Sequence, residues 1–329
     1  MPRFEHHIIL LTPQIHIKGI QDYAEIHCIE HKGWHHALRS RSRIRKLTRQ
    51  LNPVVIHSHL FLASFLSRLS INSQTNFVYS LHNLYSATIF KVPLFRLLEK
   101  TVYRERHQLI AVSGYVLDDY KRVVTRCHSG NVLYNFVDDS FFSSTPGKKQ
   151  KQFPEKWIAV GSLKEQKNYG ALIMCMEKLY CFNKNISLDI YGDGPLRAEL
   201  EKRICNLPFI KFKGKAHNLS ELMDQYEAFI SVSKYEGYGI APMEALARRL
   251  PLFLSDIPVY REVYKGHGFF VSTDEKMQND FLDAYREYSD LTDLERETRA
   301  TKGYQYVSEV ANSKMYIDRL LKIYNLSLT

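Results

Sequence analysis

The stretch Ser231–Glu262, SVSKYEGYGIAPMEALARRLPLFLSDIPVYRE, constrains the fold more than any other part of the chain. The apolar run Ala228–Ser233 has the β-branched and aromatic content of a buried strand. Glu236, Gly237 and Gly239 follow as a loop. Ala241–Arg249 then reads as a helix, with Pro242 near its first position and Glu244 in its first turn. Leu250–Leu254 is a second apolar run. A strand–loop–helix–strand unit gives parallel strands joined by a right-handed crossover. Ligands of open α/β sheets bind at the carboxyl ends of such strands, so the loop around Glu236 is placed where a ligand would sit.

Two carboxylates stand there, Glu236 on the loop and Glu244 on the helix. A carboxylate can accept two hydrogen bonds from a vicinal diol, the group a ribose or a hexose presents. The two glycines let backbone N–H groups approach a ligand, and the helix N-terminus adds partial positive charge suited to a phosphate. The same residues have plainer readings. Glu244 could pair with Arg248 four residues on, and Glu236 could be a solvated loop side chain.

The surrounding motifs bear on that choice. YEGYGIAPMEALA, followed by PLFLSDIPVYREV, closely resembles the retaining, GT-B-fold glycosyltransferases of family 4. Upstream, VGSLKEQKNY (Val160–Tyr169) and YGDGPLRAEL (Tyr191–Leu200) resemble the same family in the same order. The fold this resemblance implies is α/β, with two Rossmann-like domains facing across a cleft. Domain boundaries are expected at residues 1–145, 146–305 and 306–329, the last a helix packing back toward the N-terminal domain. Ser143–Phe153, SSTPGKKQKQF, is the linker candidate.

Length and charge fit that frame. The 329 residues are enough for two domains, and the longest apolar run falls well short of the roughly 18 residues of a membrane span. The opening MPRFEHHIILLTPQ does not read as a signal peptide. Five cysteines without C-x-x-C spacing point to reduced thiols of a cytoplasmic protein, and four of them fall in or beside apolar segments. The fourteen histidines show no zinc spacing with cysteines, so no structural metal is expected. A net charge of +10 implies an anionic partner. Nucleic-acid modules are not recognisable, which leaves a phosphorylated substrate or anionic lipid. The densest basic patch is Arg39–Arg49, with Leu38, Ile44, Leu47 and Leu51 as its expected buried stripe. It is either a peripheral membrane contact or a solvated helix face.

One feature departs from a Rossmann-like opening. The first apolar run, His7–Leu11, leads through Thr12–Ile17 to another strand, Glu25–Cys28, with no glycine-rich loop and helix between. The expectation is that this domain lacks its opening strand, glycine loop and helix. Elsewhere strands and helices alternate as in a parallel α/β domain, with Ser113 as a helix cap.

Transfer from a sugar nucleotide breaks an anomeric C–O bond to a diphosphate, with positive charge developing on the sugar and negative charge on the leaving group. A metal-free site needs a fixed cation there, and Lys167, after a strand and the Gly161 turn, is the candidate. By resemblance Glu244 is the ribose ligand and Glu236 the sugar-side carboxylate. Gly237, Tyr238, Gly239 and Ile240 would offer N–H groups, and His82, after a strand, would lie near the donor sugar. His217 is a candidate near the base. Gly161 and Gly192 are also counted among the donor-binding positions, although for Gly192 and Gly194 a tight strand–helix turn is the first role. Ser162 stands where the family often has Arg, and Phe136, in LYNFVD, replaces a family glycine. The expected donor is a UDP-, GDP- or ADP-sugar, and the acceptor a hydroxyl of a glycan or lipid-linked molecule. The alternatives are a non-catalytic sugar-nucleotide binder, an inactive truncated transferase, or a sugar-nucleotide epimerase.

Overall fold

The computed structural model describes residues 4–13, 19–72, 74–125, 127–142 and 155–325. The linker candidate Ser143–Phe153 lies outside them. The chain divides into two units. The first comprises described stretches within Met1–Ala111, Leu117–Asn131 and Ile323–Leu326. The second comprises those within Val112–Val116 and Val132–Lys322.

The first unit starts with β1 (His7–Leu10) and β2 (Glu25–Cys28), which pair in parallel as a two-stranded sheet. Helix α1 (Ala37–Leu51), β3 (Val55–His59), α2 (Phe61–Ser70), β4 (Asn76–Leu81), α3 (Pro93–Val102) and β5 (Gln108–Ala111) follow, then α4 (Gly114–Val123), of which the part from Leu117 belongs to this unit, and β6 (Asn131–Val132), which straddles its boundary. Strands β3-β4-β5-β6 form a second sheet in sequence order. β4 is its most buried strand, an unbroken apolar and small-residue run of the kind parallel sheets use. Ile29, Ile44, Phe65, Leu66 and Val102 form one core cluster. Below it Arg68 and Glu99, both buried, pair through two hydrogen bonds of 2.8 and 2.7 Å.

The basic helix α1 departs from its expected stripe. Ile44 is buried, but Leu38 is 79% exposed and Ser40 takes the inward position. A 3.6-residue period puts residues 40 and 44 on one face, and Leu38 lies off it. Ser40 can sit inside because its hydroxyl meets His31 Nδ1 at 2.8 Å. The cysteines also differ from expectation. Cys127 and Cys175 are buried, whereas Cys28, Cys181 and Cys205 are exposed.

The second unit carries β7 (Glu155–Val160), α5 (Tyr169–Phe182), β8 (Ile186–Tyr191), α6 (Arg197–Arg203), β9 (Ile210–Gly214), α7 (Leu219–Met223), β10 (Ala228–Ser231), α8 (Ile240–Ala247), β11 (Leu252–Ser255), α9 (Pro258–Tyr264), β12 (Phe269–Val271), α10 (Met277–Asp290), α11 (Asp293–Val310) and α12 (Ser313–Ile323). Its six strands run in the order β12-β11-β10-β7-β8-β9, and neighbouring strands pair in parallel. The chain builds outward from β7 to β9, then returns to lay β10 on the other side of β7. The order therefore reverses between β7 and β10, which is where open sheets leave a crevice at their carboxyl ends. Trp157 fills the core beneath, with its ring 4.4 Å from that of Phe253.

Candidate functional site

The carboxyl ends of β7 and β10 bring two of the expected residues, Lys167 and Glu236, into contact, whereas His217 lies apart in the loop after β9. After β7 the chain turns at Gly161 and makes a short 3-10 turn, Glu165–Lys167. After β10 it runs through Glu236 into α8. Lys167 Nζ donates to Glu236 Oε1 at 2.6 Å. Gln166 Nε2 donates to the other oxygen of Glu236 at 3.2 Å and to the Tyr235 carbonyl at 3.0 Å. Glu236 is 6% exposed, so it is not a solvated loop carboxylate, and Lys167 is not a free loop lysine. Sequence reading missed Gln166, although it lies in the quoted KEQKNY motif. Its amide is the donor that a buried carboxylate beside a single lysine needs.

The glycines are required by close backbone approach. A Cβ on Gly192 would lie 1.9 Å from the Gly161 carbonyl oxygen, and one on Gly194 would lie 2.5 Å from that of Leu163. These contacts lock the turns after β7 and β8 together, as does the 2.9 Å bond from Gly161 N–H to the Tyr191 carbonyl. This close approach is what the tight-turn reading needs at Gly192 and Gly194. Gly239 has φ +86°, and a Cβ there would meet Tyr260 at 2.7 Å. Tyr260 in turn meets Ser231 Oγ at 2.8 Å, and the Tyr264 hydroxyl donates to the Gly239 carbonyl. The loop that carries Gly237, Tyr238 and Gly239 thus rests on two buried tyrosines of α9, a helix the sequence reading left unassigned. Tyr238 is 3% exposed, and its hydroxyl has no hydrogen-bond partner among the described residues.

Helix α8 begins at Ile240, one residue before the expected Ala241, and ends at Ala247. Pro242 is therefore its third residue and Glu244 its fifth, in the second turn. Gly239 at the N-cap causes the shift, because its left-handed backbone lets the helix start at once. Ile240 is 44% exposed at the helix start. Gly303 of α11 lets Leu246 approach closely and so fixes α8 from behind.

Glu244 does not pair with Arg248. Arg248, 1% exposed, instead donates from Nε to Asp224 Oδ1 at 2.9 Å and from a second nitrogen to Oδ2. The Glu244 carboxyl is half-buried and makes no hydrogen bond or ion pair among the described residues. Burial, with the nearby Asp138 carboxylate adding to it, pushes it up to about 7. His217 is exposed in the loop after β9.

His82 belongs to the first unit, just past β4. Its Nε2 lies 2.9 Å from His59 Nδ1. His57, on β3, meets Ser80 Oγ at 2.7 Å and the Tyr324 hydroxyl at 2.5 Å. Burial, then the neighbouring imidazoles, hold His57 down to about 3, and burial, then His59, hold His82 down to about 4.

Two family profiles match the chain. Residues 3–141 match "Glycosyltransferase Family 4", and residues 143–302 match "Glycosyl transferases group 1". The chain belongs to this glycosyltransferase family. Among curated relatives it is 28% identical over 177 residues to the UDP-N-acetylglucosamine–peptide N-acetylglucosaminyltransferase GtfA subunit of Streptococcus pneumoniae, covering 51% of this chain and 34% of that protein. It is 28% identical over 214 residues to the O-antigen chain mannosyltransferase RfbU of Salmonella typhimurium, covering 63% of this chain and 58% of that one. The chain thus spans well under two thirds of either relative. Its fold is similar to that of Anabaena Alr3699/HepE, solved in complex with UDP and glucose. The TM-score is 0.77 at 14% identity, over 93% of this chain and 87% of that one. In this glycosyltransferase fold the site residues of the second unit occupy the switch between β7 and β10.

Proposed function

We propose that the chain is a retaining glycosyltransferase that moves a sugar from a UDP-sugar to a hydroxyl of a glycan or lipid-linked acceptor in cell-surface glycan synthesis. Support comes first from Glu244, a half-buried carboxyl with no hydrogen-bond or ion-pair partner among the described residues, on a helix whose N-terminus opens from a glycine loop. A ribose diol supplies the two donors that this carboxyl lacks. The first N–H groups of α8 have no partner within the helix and suit a phosphate oxygen. Lys167 supplies the fixed cation toward which negative charge on the leaving diphosphate is drawn. Glu236 and Gln166 hold that lysine in place, and Glu236 is the carboxylate assigned to the sugar.

UDP is favoured over GDP and ADP because it is the donor nucleotide in the GtfA relative's name. His82 is the candidate of the first unit. As a neutral imidazole it can either donate or accept a hydrogen bond. Leu38, Arg39, Arg45, Lys46 and Arg49 are exposed on α1, and this face is proposed to touch anionic membrane peripherally on the cytoplasmic side.

The test is calorimetric titration with UDP, GDP and ADP, followed by a donor-hydrolysis assay. Binding of UDP in preference to the others, with slow hydrolysis of a UDP-sugar, supports a transferase. Binding without any turnover would turn the reading to a sugar-nucleotide binder. No nucleotide binding by the folded protein would overturn it.

A further inference from the structure

Three metal-ligating side chains converge in the first unit, on the paired strands β1 and β2. His7 lies opposite Glu25 in the register, and His27 stands two residues further along β2, so all three project from one face. His7 Nδ1 is 3.2 Å from His27 Nε2 and 3.4 Å from Glu25 Oε2. His27 Nε2 is 3.7 Å from Glu25 Oε1. Ligands held tetrahedrally at about 2.0–2.1 Å from a zinc ion stand about 3.3 Å from one another, so the spacing is that of ligands around one ion.

Hydrogen bonding alone accounts poorly for this arrangement. The ring nitrogens stand 3.4 and 3.7 Å from the carboxylate, too far for good hydrogen bonds, so the one short contact joins the two rings and leaves the carboxylate unsatisfied by them. A cation satisfies all three lone pairs at once. The imidazole side chains are 17% exposed, whereas Glu25 is 63% exposed. One side of the cluster is therefore open for a water ligand. The far nitrogen of His7, Nε2, faces Glu5 Oε1 at 3.6 Å, beyond hydrogen-bond distance.

We infer that His7, Glu25 and His27 bind a divalent transition-metal ion of the zinc class. Two imidazoles and one carboxylate make a borderline donor set that suits Zn2+ or Co2+ rather than Mg2+ or Ca2+. The ion staples β1 to β2. A two-stranded sheet is marginal by itself, so such a link sets the order of this part of the chain. None of the donor-site residues takes part. This departs from the expectation of a metal-free chain, which rested on cysteine spacing.

The test uses the full chain, stripped with a chelator and titrated with Co2+ while its visible absorption is followed, then back-titrated with Zn2+. Wild type should bind one Co2+ per chain at this site, displaced by Zn2+. His27→Gln and Glu25→Gln should weaken binding at least tenfold, and His128→Gln, an exposed control, should leave it unchanged. Zn2+ should raise the melting midpoint of wild type but not of His27→Gln. Because Glu25 is largely exposed, its variant keeps the fold, which circular dichroism checks. Equal affinity in wild type and both variants, or no Co2+ binding by folded wild type, would overturn the assignment.

Discussion

Lowering the pH should weaken UDP binding through Glu244 by an amount the structure sets. A carboxyl that titrates at about 7 is ionised in about one molecule in eleven at pH 6 and about ten in eleven at pH 8. A diol donates to the ionised form, so only that fraction is competent to bind. The apparent affinity should therefore fall about tenfold from pH 8 to pH 6. Burial raises the carboxyl before binding, and the diol's hydrogen bonds draw it down afterwards, so binding releases a proton. Glu244→Gln has no charge to titrate. At pH 8 it should bind UDP about tenfold more weakly than wild type, since hydrogen bonds to a charged acceptor are worth about 1–1.5 kcal/mol more than neutral ones. At pH 6 the two proteins should nearly coincide. Ionisation of UDP itself is common to both and cancels in the ratio of their dissociation constants. Calorimetry at pH 6, 7 and 8, in two buffers of different ionisation enthalpy, reads both the ratio and the released proton. A ratio that stays constant across this range would refute the reasoning.

Lys167→Ala should lower stability by about 1.5–3 kcal/mol in chemical denaturation, because it strips the charged partner from a buried Glu236, and it should weaken UDP binding as well. Gly192→Ala should destabilise by more than about 2 kcal/mol, since its Cβ overlaps the Gly161 carbonyl, whereas Gly266→Ala, also at positive φ but in open space, should cost only about 1 kcal/mol. Thermal melting of the two alanine variants makes the comparison. His57 and His82 are neutral when folded and charge more readily when unfolded, so their contribution is full above about pH 6.5 and is lost as pH falls toward their folded values of about 3 and about 4. Unfolding free energies from urea titrations at pH 7 and pH 5 should differ by about 2 kcal/mol for the pair after allowing for their partial exposure, and His57→Gln should reduce the difference.

The local units were legible because their signals are local. The strand before Glu236, the glycine loop and the helix of Glu244 all follow from residues within one stretch, although the strand ends at Ser231 rather than Ser233 and the helix runs Ile240–Ala247 rather than Ala241–Arg249. Ser113 was legible as a cap, and its hydroxyl does accept from Val116 N–H at 3.2 Å. What escaped depends on distant partners. Arg248 had Glu244 four residues away as a helix-spaced partner, but the fold offered Asp224, whose carboxylate takes its fork at two points. Gln166 gained its role only when β10 was laid beside β7. Helix α9 went unassigned, although Pro258 stands at its first position, where proline is well suited. The His7–Glu25–His27 cluster is made by strand register, which spacing along the chain does not reveal.

If Glu244 holds a ribose diol, calorimetry with UDP and with 2′-deoxy-UDP must tell the two nucleotides apart. Wild type should bind the deoxynucleotide about tenfold more weakly, through the loss of one hydrogen bond to a charged group. Glu244→Ala should bind both nucleotides alike. Equal affinity of wild type for the two nucleotides, or a preference that survives in Glu244→Ala, would contradict it.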